Sequence, residues 1–208
     1  MTSEKVAYFY KINILDKLPE DIRAKVAIAG GAVRDKLMGA EIKDIDLFVQ
    51  DKETEDKLMT FLKNNGKEGN INSQTANYTY EGKWVQVVRE KYYDMSTTQV
   101  IDSFDFTICQ AMVTVNGLKV GEHFWESIAT KHLRINKITF PLSTLERMQK
   151  YIKKGYEACN GTLLAIAKSI NDMERTVFTP DMDTTKEEAV QNTLMFYSDR
   201  SPRFMGVD

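Results

Sequence analysis

Residues 27–49, "AIAGGAVRDKLMGAEIKDIDLFV", decide the fold. An apolar run closes on Gly30-Gly31, an Arg34-Asp35 pair follows, and Gly39 precedes a second apolar run holding Asp44 and Asp46. The first run, 25–30, reads as a buried strand. Residues 31–38 fit a two-turn helix with Gly39 as its C-cap. Residues 42–49 read as a second strand. Residues two apart on a strand share a face, with Cα atoms ~6.5–7 Å apart. Asp44 and Asp46 are thus expected side by side, with Ile45, Leu47 and Val49 toward the core. Two adjacent carboxylates repel, and burial adds to the cost. A solvated edge strand relieves that conflict, and so does a divalent cation. Asp-x-Asp offers hard oxygen ligands of the kind Mg²⁺ takes, in a two-ion arrangement. A glycine pair opening a helix directly after a strand offers N–H groups and a positive dipole end to an anion. Arg34, one turn in, is placed to add charge-assisted hydrogen bonds. A phosphate cradle beside a carboxylate pair is the equipment of phosphoryl or nucleotidyl transfer.

The rest of the chain frames that motif. Its 208 residues allow one domain with a helical appendage, and 42% apolar content supplies a core. A net charge of -2 argues against a strongly basic nucleic-acid binder. Cys109 and Cys159 sit in apolar contexts and are read as reduced, buried thiols, with no zinc-type spacing to His123 or His132. No signal-peptide core and no run of membrane-spanning length occurs, so a cytoplasmic protein is expected.

Residues 4–18 read as a helix ended by Pro19, and 53–66 as a helix ending at Asn65-Gly66. Glu81-Gly82 and Asn116-Gly117 mark tight turns between the strand pairs 77–82/83–90 and 105–115/118–122. Residues 97–102 read as one helical turn. Helices follow over 141–160, capped through Ser143-x-x-Glu146, over 162–177, and from Thr184 to about Tyr197, before a loose tail. On the 141–160 helix, Leu145, Met148, Ile152 and Cys159 are expected on one face, and Arg147, Lys150 and Lys154 on another. That basic stripe either faces a triphosphate or RNA, or is a solvated face. Tyr78, Tyr80, Trp84, Tyr92 and Tyr93 are read as cross-strand core rather than a base platform. "KHLRINK" (131–137) is read as a surface loop.

"GGAVRDKLMGAEIKDIDLF" resembles the G-G-x-V-R-D-x-L-x-G…D-x-D signature of the DNA polymerase β-type nucleotidyltransferase superfamily. Within it, the chain is similar to the head domain of class II CCA-adding enzymes and bacterial poly(A) polymerases. "FDFTICQAMV" (104–113) resembles the family's R-R-D-F-T-I-N-A-M block, and "LERMQKYIKKGY" (145–156) resembles its neck helix, placing Arg147, Lys150 and Tyr151 on family positions. The resemblance implies an α+β fold: a mixed-sheet nucleotidyltransferase head over 1–140 and a small helical region over 141–208. It implies that Gly30, Gly31, Arg34, Arg147 and Lys150 hold the NTP, with Asp35 bracing the loop. Asp44 and Asp46 would hold Mg²⁺ for in-line attack of a hydroxyl on the α-phosphate. Asp105 would contact the nucleotide sugar or stand as a third acidic group near the metals.

Departures accompany the match. Ser103 and Phe104 replace the two arginines of the second block. Phe140, Pro141 and Thr144 occupy the family's base-reading E-D-x-x-R element, so the CCA template is absent. Gln86 stands where related polymerases often carry a third carboxylate. The residues after 156 are expected to be too few for tRNA-gripping body and tail domains, a build that suits a phage or mobile-element gene. The expected acceptor is an RNA 3′ end, tRNA included. A protein or small-molecule acceptor and a non-catalytic nucleotide- or partner-binding head are the alternatives.

Overall fold

A strand can be apolar throughout only if both sheet faces are covered. Val26–Ala29 (β1) and Ile45–Val49 (β2) meet that condition, for every residue of each is buried. They pair antiparallel in the middle of a seven-stranded sheet. The computed structural model describes residues 2–72, 74–89 and 99–177, the last five by their backbone only. The remaining strands are Lys67–Ile71 (β3), Thr75–Tyr80 (β4), Lys83–Val88 (β5), Ala111–Thr114 (β6) and Gly117–Val120 (β7). Their order is β3-β4-β5-β2-β1-β6-β7, and only β2 and β5 pair parallel. The fold is α+β with a mixed sheet, as expected.

Helices cover the sheet. Ser3–Asn13 (α1) packs on β6, β7 and the eight-residue helix Gly31–Met38 (α3), while Lys52–Asn65 (α4) packs on β2, β3 and β4. Asp51 caps α4, accepting from the Thr54 N–H at 2.8 Å and the Thr54 hydroxyl at 2.7 Å. These bonds hold its carboxyl down at about 2. The expected hairpins form. Glu81 and Gly82 both carry positive φ, 52° and 70°, as the tight β4–β5 turn requires. Gly117 (φ 113°) closes the β6–β7 turn.

Several expectations give way. The 4–18 helix is α1, a 3-10 turn at Leu15–Lys17 and, beyond Pro19, a short helix Glu20–Arg23 (α2). The strand expected over 105–115 is a 3-10 turn at Thr107–Cys109 followed by the shorter β6. β3 is exposed at every residue, so it has no apolar alternation to announce it. Phe124–Thr130 (α5) also lacked a sequence signal. The 97–102 turn is a 3-10 turn at Val100–Ser103.

Pro141–Lys153 (α6) begins at Pro141 with Phe140 as N-cap, so the Ser143-x-x-Glu146 box lies inside the helix. Proline belongs at the first helical position, where its missing N–H costs nothing. Gly155 (φ 86°) ends α6. Its inward face is Pro141, Thr144, Met148 and Tyr151 rather than the expected Leu145, Met148, Ile152 and Cys159; Ile152 is exposed. Cys159 instead precedes Asn160–Val177 (α7) and is exposed, so of the two thiols read as buried only Cys109 is. There its sulfur accepts from the Thr162 N–H at 3.4 Å. Tyr78 and Tyr80 are core, as read, while Trp84 is exposed. Tyr92, Tyr93 and the helix expected from Thr184 lie outside the described residues.

Candidate active site

The register between β1 and β2 builds the site. Ala29 sits opposite Asp46, and Ala29 is the last strand residue before Gly30-Gly31. The glycine turn and the second carboxylate are therefore neighbours across one strand pair. Gly30 adopts φ 81°, ψ -140°, a conformation that only glycine takes at low cost. Its N–H donates to the Ala111 carbonyl at 2.9 Å. Gly30 thus anchors the turn to β6 instead of offering its amide, contrary to the expectation of a donor pair. The first α3 amide with an i→i−4 partner is Arg34, bonded to the Gly30 carbonyl at 3.2 Å. The amides of Gly31, Ala32 and Val33 precede it at the positive end of the helix dipole.

Asp44 lies just before β2 and is partly buried, whereas Asp46 is 1% exposed. The shared strand face expected for the pair therefore starts one residue outside the regular strand. Asp46 shares its face with Phe48, which packs edge-to-face on Phe104 at 5.9 Å. That contact brings the 104–109 segment over the carboxylate side of the sheet.

The opposite wall is made of charges that pair with one another. Asp105 Oδ2 accepts from Arg147 at 2.5 Å and from the Thr144 hydroxyl at 2.9 Å. Burial works against the Arg147 charge, but Asp105 more than offsets it and the arginine stays cationic. Asp105 is 8% exposed. Among the described residues no three His, Cys, Asp or Glu side chains group as a metal site. Asp105 is a partner of α6 through Arg147 and Thr144. The 131–137 stretch, read as a plain loop, clamps this segment: the Asn136 N–H donates to the Asp105 carbonyl at 2.7 Å.

Arg34 is 0% exposed. Its Nε donates to Asp35 at 2.8 Å, its NH1 reaches the Cys109 sulfur at 3.5 Å, and it lies under the Tyr151 ring at 5.1 Å. Burial pushes its pKa down, while Cys109, Tyr151 and Asp35 together push it up further, so it remains charged. Its NH2 nitrogen is buried and carries no hydrogen bond to the protein. Cys109 also meets the Tyr151 hydroxyl at 2.9 Å. Lys154 reaches Asp35 at 3.6 Å, so two members of the basic stripe face this wall, and Lys150 is half-buried on the same helix. On β5, Gln86 stands beside Asp46.

Comparison with known proteins adds three findings. A family profile described as "Gabija anti-defense 2 family protein" matches residues 4–131. No curated protein matches the chain. Solved structures share the fold. A Thermotoga maritima CCA-adding enzyme complexed with tRNA superposes with TM-score 0.60 at 15% identity, covering 94% of this chain and 54% of its own. A CCA-adding enzyme in complex with ATP gives 0.59 at 17%, covering 94% and 52%. A tRNA nucleotidyltransferase complexed with a primer tRNA and an incoming ATP analog gives 0.54 at 18%, covering 81% and 51%. The chain spans about half the length of these proteins. The polymerase β-type nucleotidyltransferase-like fold is thereby established.

Proposed function

The chain belongs to the Gabija anti-defense 2 family, and from that premise we propose that it is a Mg²⁺-dependent nucleotidyltransferase moving a nucleoside monophosphate from an NTP to a hydroxyl. The observation that carries this reading is the register that sets Asp46 opposite Ala29, one residue from the Gly30-Gly31 turn. An anion-binding helix end and a carboxylate seldom share a strand pair unless a cation and a phosphate join them.

The donor set suits Mg²⁺: two carboxylates, Asp44 and Asp46, with no thiolate or imidazole beside them among the described residues. Magnesium commonly takes one or two protein carboxylates and completes its shell with water and substrate phosphates. When bound, it neutralises charge that builds on the α-phosphate and the leaving pyrophosphate. The chain's own residues do the rest. The amides of Gly31, Ala32 and Val33 receive phosphate oxygens. Arg34 keeps α3 and α6 at a fixed separation, and its unbonded NH2 adds positive potential behind the phosphates. The Asp105–Arg147–Thr144 cluster holds the α6 wall against which the nucleoside lies, and Lys150 and Lys154 supply charge at its rim. The acceptor oxygen attacks in line, the bond to pyrophosphate breaks, and one NMP remains on the acceptor.

An RNA 3′ end is the acceptor favoured by the ligands of the similar structures, tRNA and ATP. The family description favours a second reading, in which the acceptor is a component of the Gabija defence. Purified protein, Mg²⁺ and each α-³²P-labelled NTP, incubated with RNA and with protein from cells that carry that defence, separate the two. Label is expected in a discrete RNA or protein band. No label from any NTP would contradict the transferase reading and leave a nucleotide- or partner-binding head.

A further inference from the structure

The sheet face that carries Asp46 also carries an aromatic ring in the open. Asp46 pairs with Gln86 on β5, and Trp84 lies two residues back along that strand, so Trp84 and Asp46 share a face. Strand geometry puts their Cα atoms about 8 Å apart. Trp84 is 46% exposed, so it is not the core residue its strand position suggested.

The ring lies along the sheet rather than standing on it. Trp84 pairs with Thr79 on β4, and Thr79 pairs with Lys67 on β3. The outer edge of the indole reaches β3: its Cη2 is 3.5 Å from the place a Cβ on Gly69 would take. Two strand spacings are about 10 Å, which an indole bridges only by lying down across β4. One π-face is then against the strands and the other is turned to solvent. A side chain at Gly69 would meet the ring, and its Cβ would press on the Asn77 main-chain oxygen at 3.2 Å. Beyond the ring, Lys67 is exposed on the same face, on the edge strand of the sheet. The neighbouring acid, Glu68, belongs to the other face, where Lys63 of α4 meets it at 3.4 Å. A carboxylate, a flat ring and an ammonium therefore follow one another from the site to the sheet edge.

We infer that Trp84 and Lys67 form the acceptor subsite: a base near the 3′ end of a single-stranded RNA stacks on the Trp84 indole, a phosphate of that strand lies at Lys67, and the terminal hydroxyl reaches the Asp46 side. The inference rests on the nucleotidyl-transfer reading above and names its acceptor. The order of strands supports it. The glycine turn follows β1 on one flank of β2, and Trp84 stands on β5 on the other. In-line displacement needs the attacking hydroxyl and the leaving pyrophosphate on opposite sides of the phosphorus, and these two flanks provide that arrangement. A net charge of -2 gives the chain little general attraction for a polyanion, so its hold on a strand must come from local contacts of this kind. Stacking reads no sequence, because every base has a π-face. The subsite thus takes a single-stranded end without base preference and rejects a paired one, whose bases are already stacked.

The test is binding of a fluorescein-labelled single-stranded RNA of about twelve nucleotides, followed by anisotropy, beside transfer of α-³²P label to the same RNA. Trp84→Ala is expected to weaken RNA binding about tenfold while melting and NTP binding stay as in wild type. Trp84→Tyr keeps a π-face and should bind within about threefold of wild type. Lys67→Ala should weaken binding less and lower its salt dependence by about one phosphate contact. In a Trp125→Phe background, Trp84 is the one indole left, and its fluorescence should be quenched by single-stranded RNA and not by duplex. RNA that does not bind, binding that ignores Trp84, or label that enters protein alone overturns the inference. If Trp84→Ala binds and extends RNA as wild type does, only this inference falls. If RNA binding depends on Trp84 but no NTP label is transferred to it, the transferase reading falls and the RNA subsite stands.

Discussion

The two walls of the candidate site treat charge in opposite ways. On the sheet wall, the chain sets first-turn amides next to carboxylates, with Asp44 near Asp46 and Asp46 beside Gln86. On the α6 wall, opposite charges meet inside the protein: Arg147 with Asp105, Arg34 with Asp35, Lys154 with Asp35. The first pattern sets two carboxylates two residues apart, and like charges repel. The second contributes stability and is spent before any ligand arrives. On the proposed reading, the sheet wall carries the chemistry and the α6 wall frames the nucleotide. Thr144, where the resemblance would place a base-reading residue, is buried and its hydroxyl donates to Asp105.

Substitutions on the two walls should therefore fail differently. The largest stability effect is expected for Arg147→Met. It strands the Asp105 carboxylate in a buried place and should cost roughly 3–5 kcal/mol in denaturant unfolding. Adding Asp105→Asn should restore part of that loss. Gly30→Ala forces a side chain into φ 81° and should cost about 1–3 kcal/mol, with transfer activity falling as the phosphate turn shifts. Away from both walls, Asp51→Ala should cost about 1 kcal/mol by uncapping α4. The Asp51 carboxyl is lowered to about 2 in the folded protein, so its contribution is complete above the ordinary carboxyl range and is lost as pH falls through about 2. Acid titrations of wild type and Asp51→Ala should converge there.

The smallest effect contrasts the two thiols. Cys159 is exposed, and its pKa is lowered to about 7, first by the Thr162 hydroxyl and then by α7 amides. Its alkylation rate should rise with a midpoint near that pH, while buried Cys109 reacts only on unfolding.

The sheet wall was largely legible in the sequence, and the α6 wall was not. A glycine pair after an apolar run, two hairpin turns and Asp-x-Asp are local signals, because each depends on backbone constraints within a few residues. Asp105 meeting Arg147 depends on residues 42 positions apart. Helix periodicity put Arg147 on a basic stripe, the family resemblance brought Asp105 to notice, and neither gave the two residues to each other. The burial of Arg34 depends on Cys109 and Tyr151 closing over it, which no periodicity encodes. Asn77 carried no signal at all: the bond it accepts from Gln86 exists only through cross-strand register. The capping box at Ser143 failed because Pro141, two residues earlier, had already started the helix.

Asp46→Asn tests the central claim most directly. NTP binding, Mn²⁺ binding and transfer of α-³²P label should be measured on the same folded preparation. The account predicts a melting temperature equal to or above that of wild type, retained NTP binding, and transfer reduced by about 10³-fold or more. Transfer at the wild-type rate by a folded Asp46→Asn protein would contradict it.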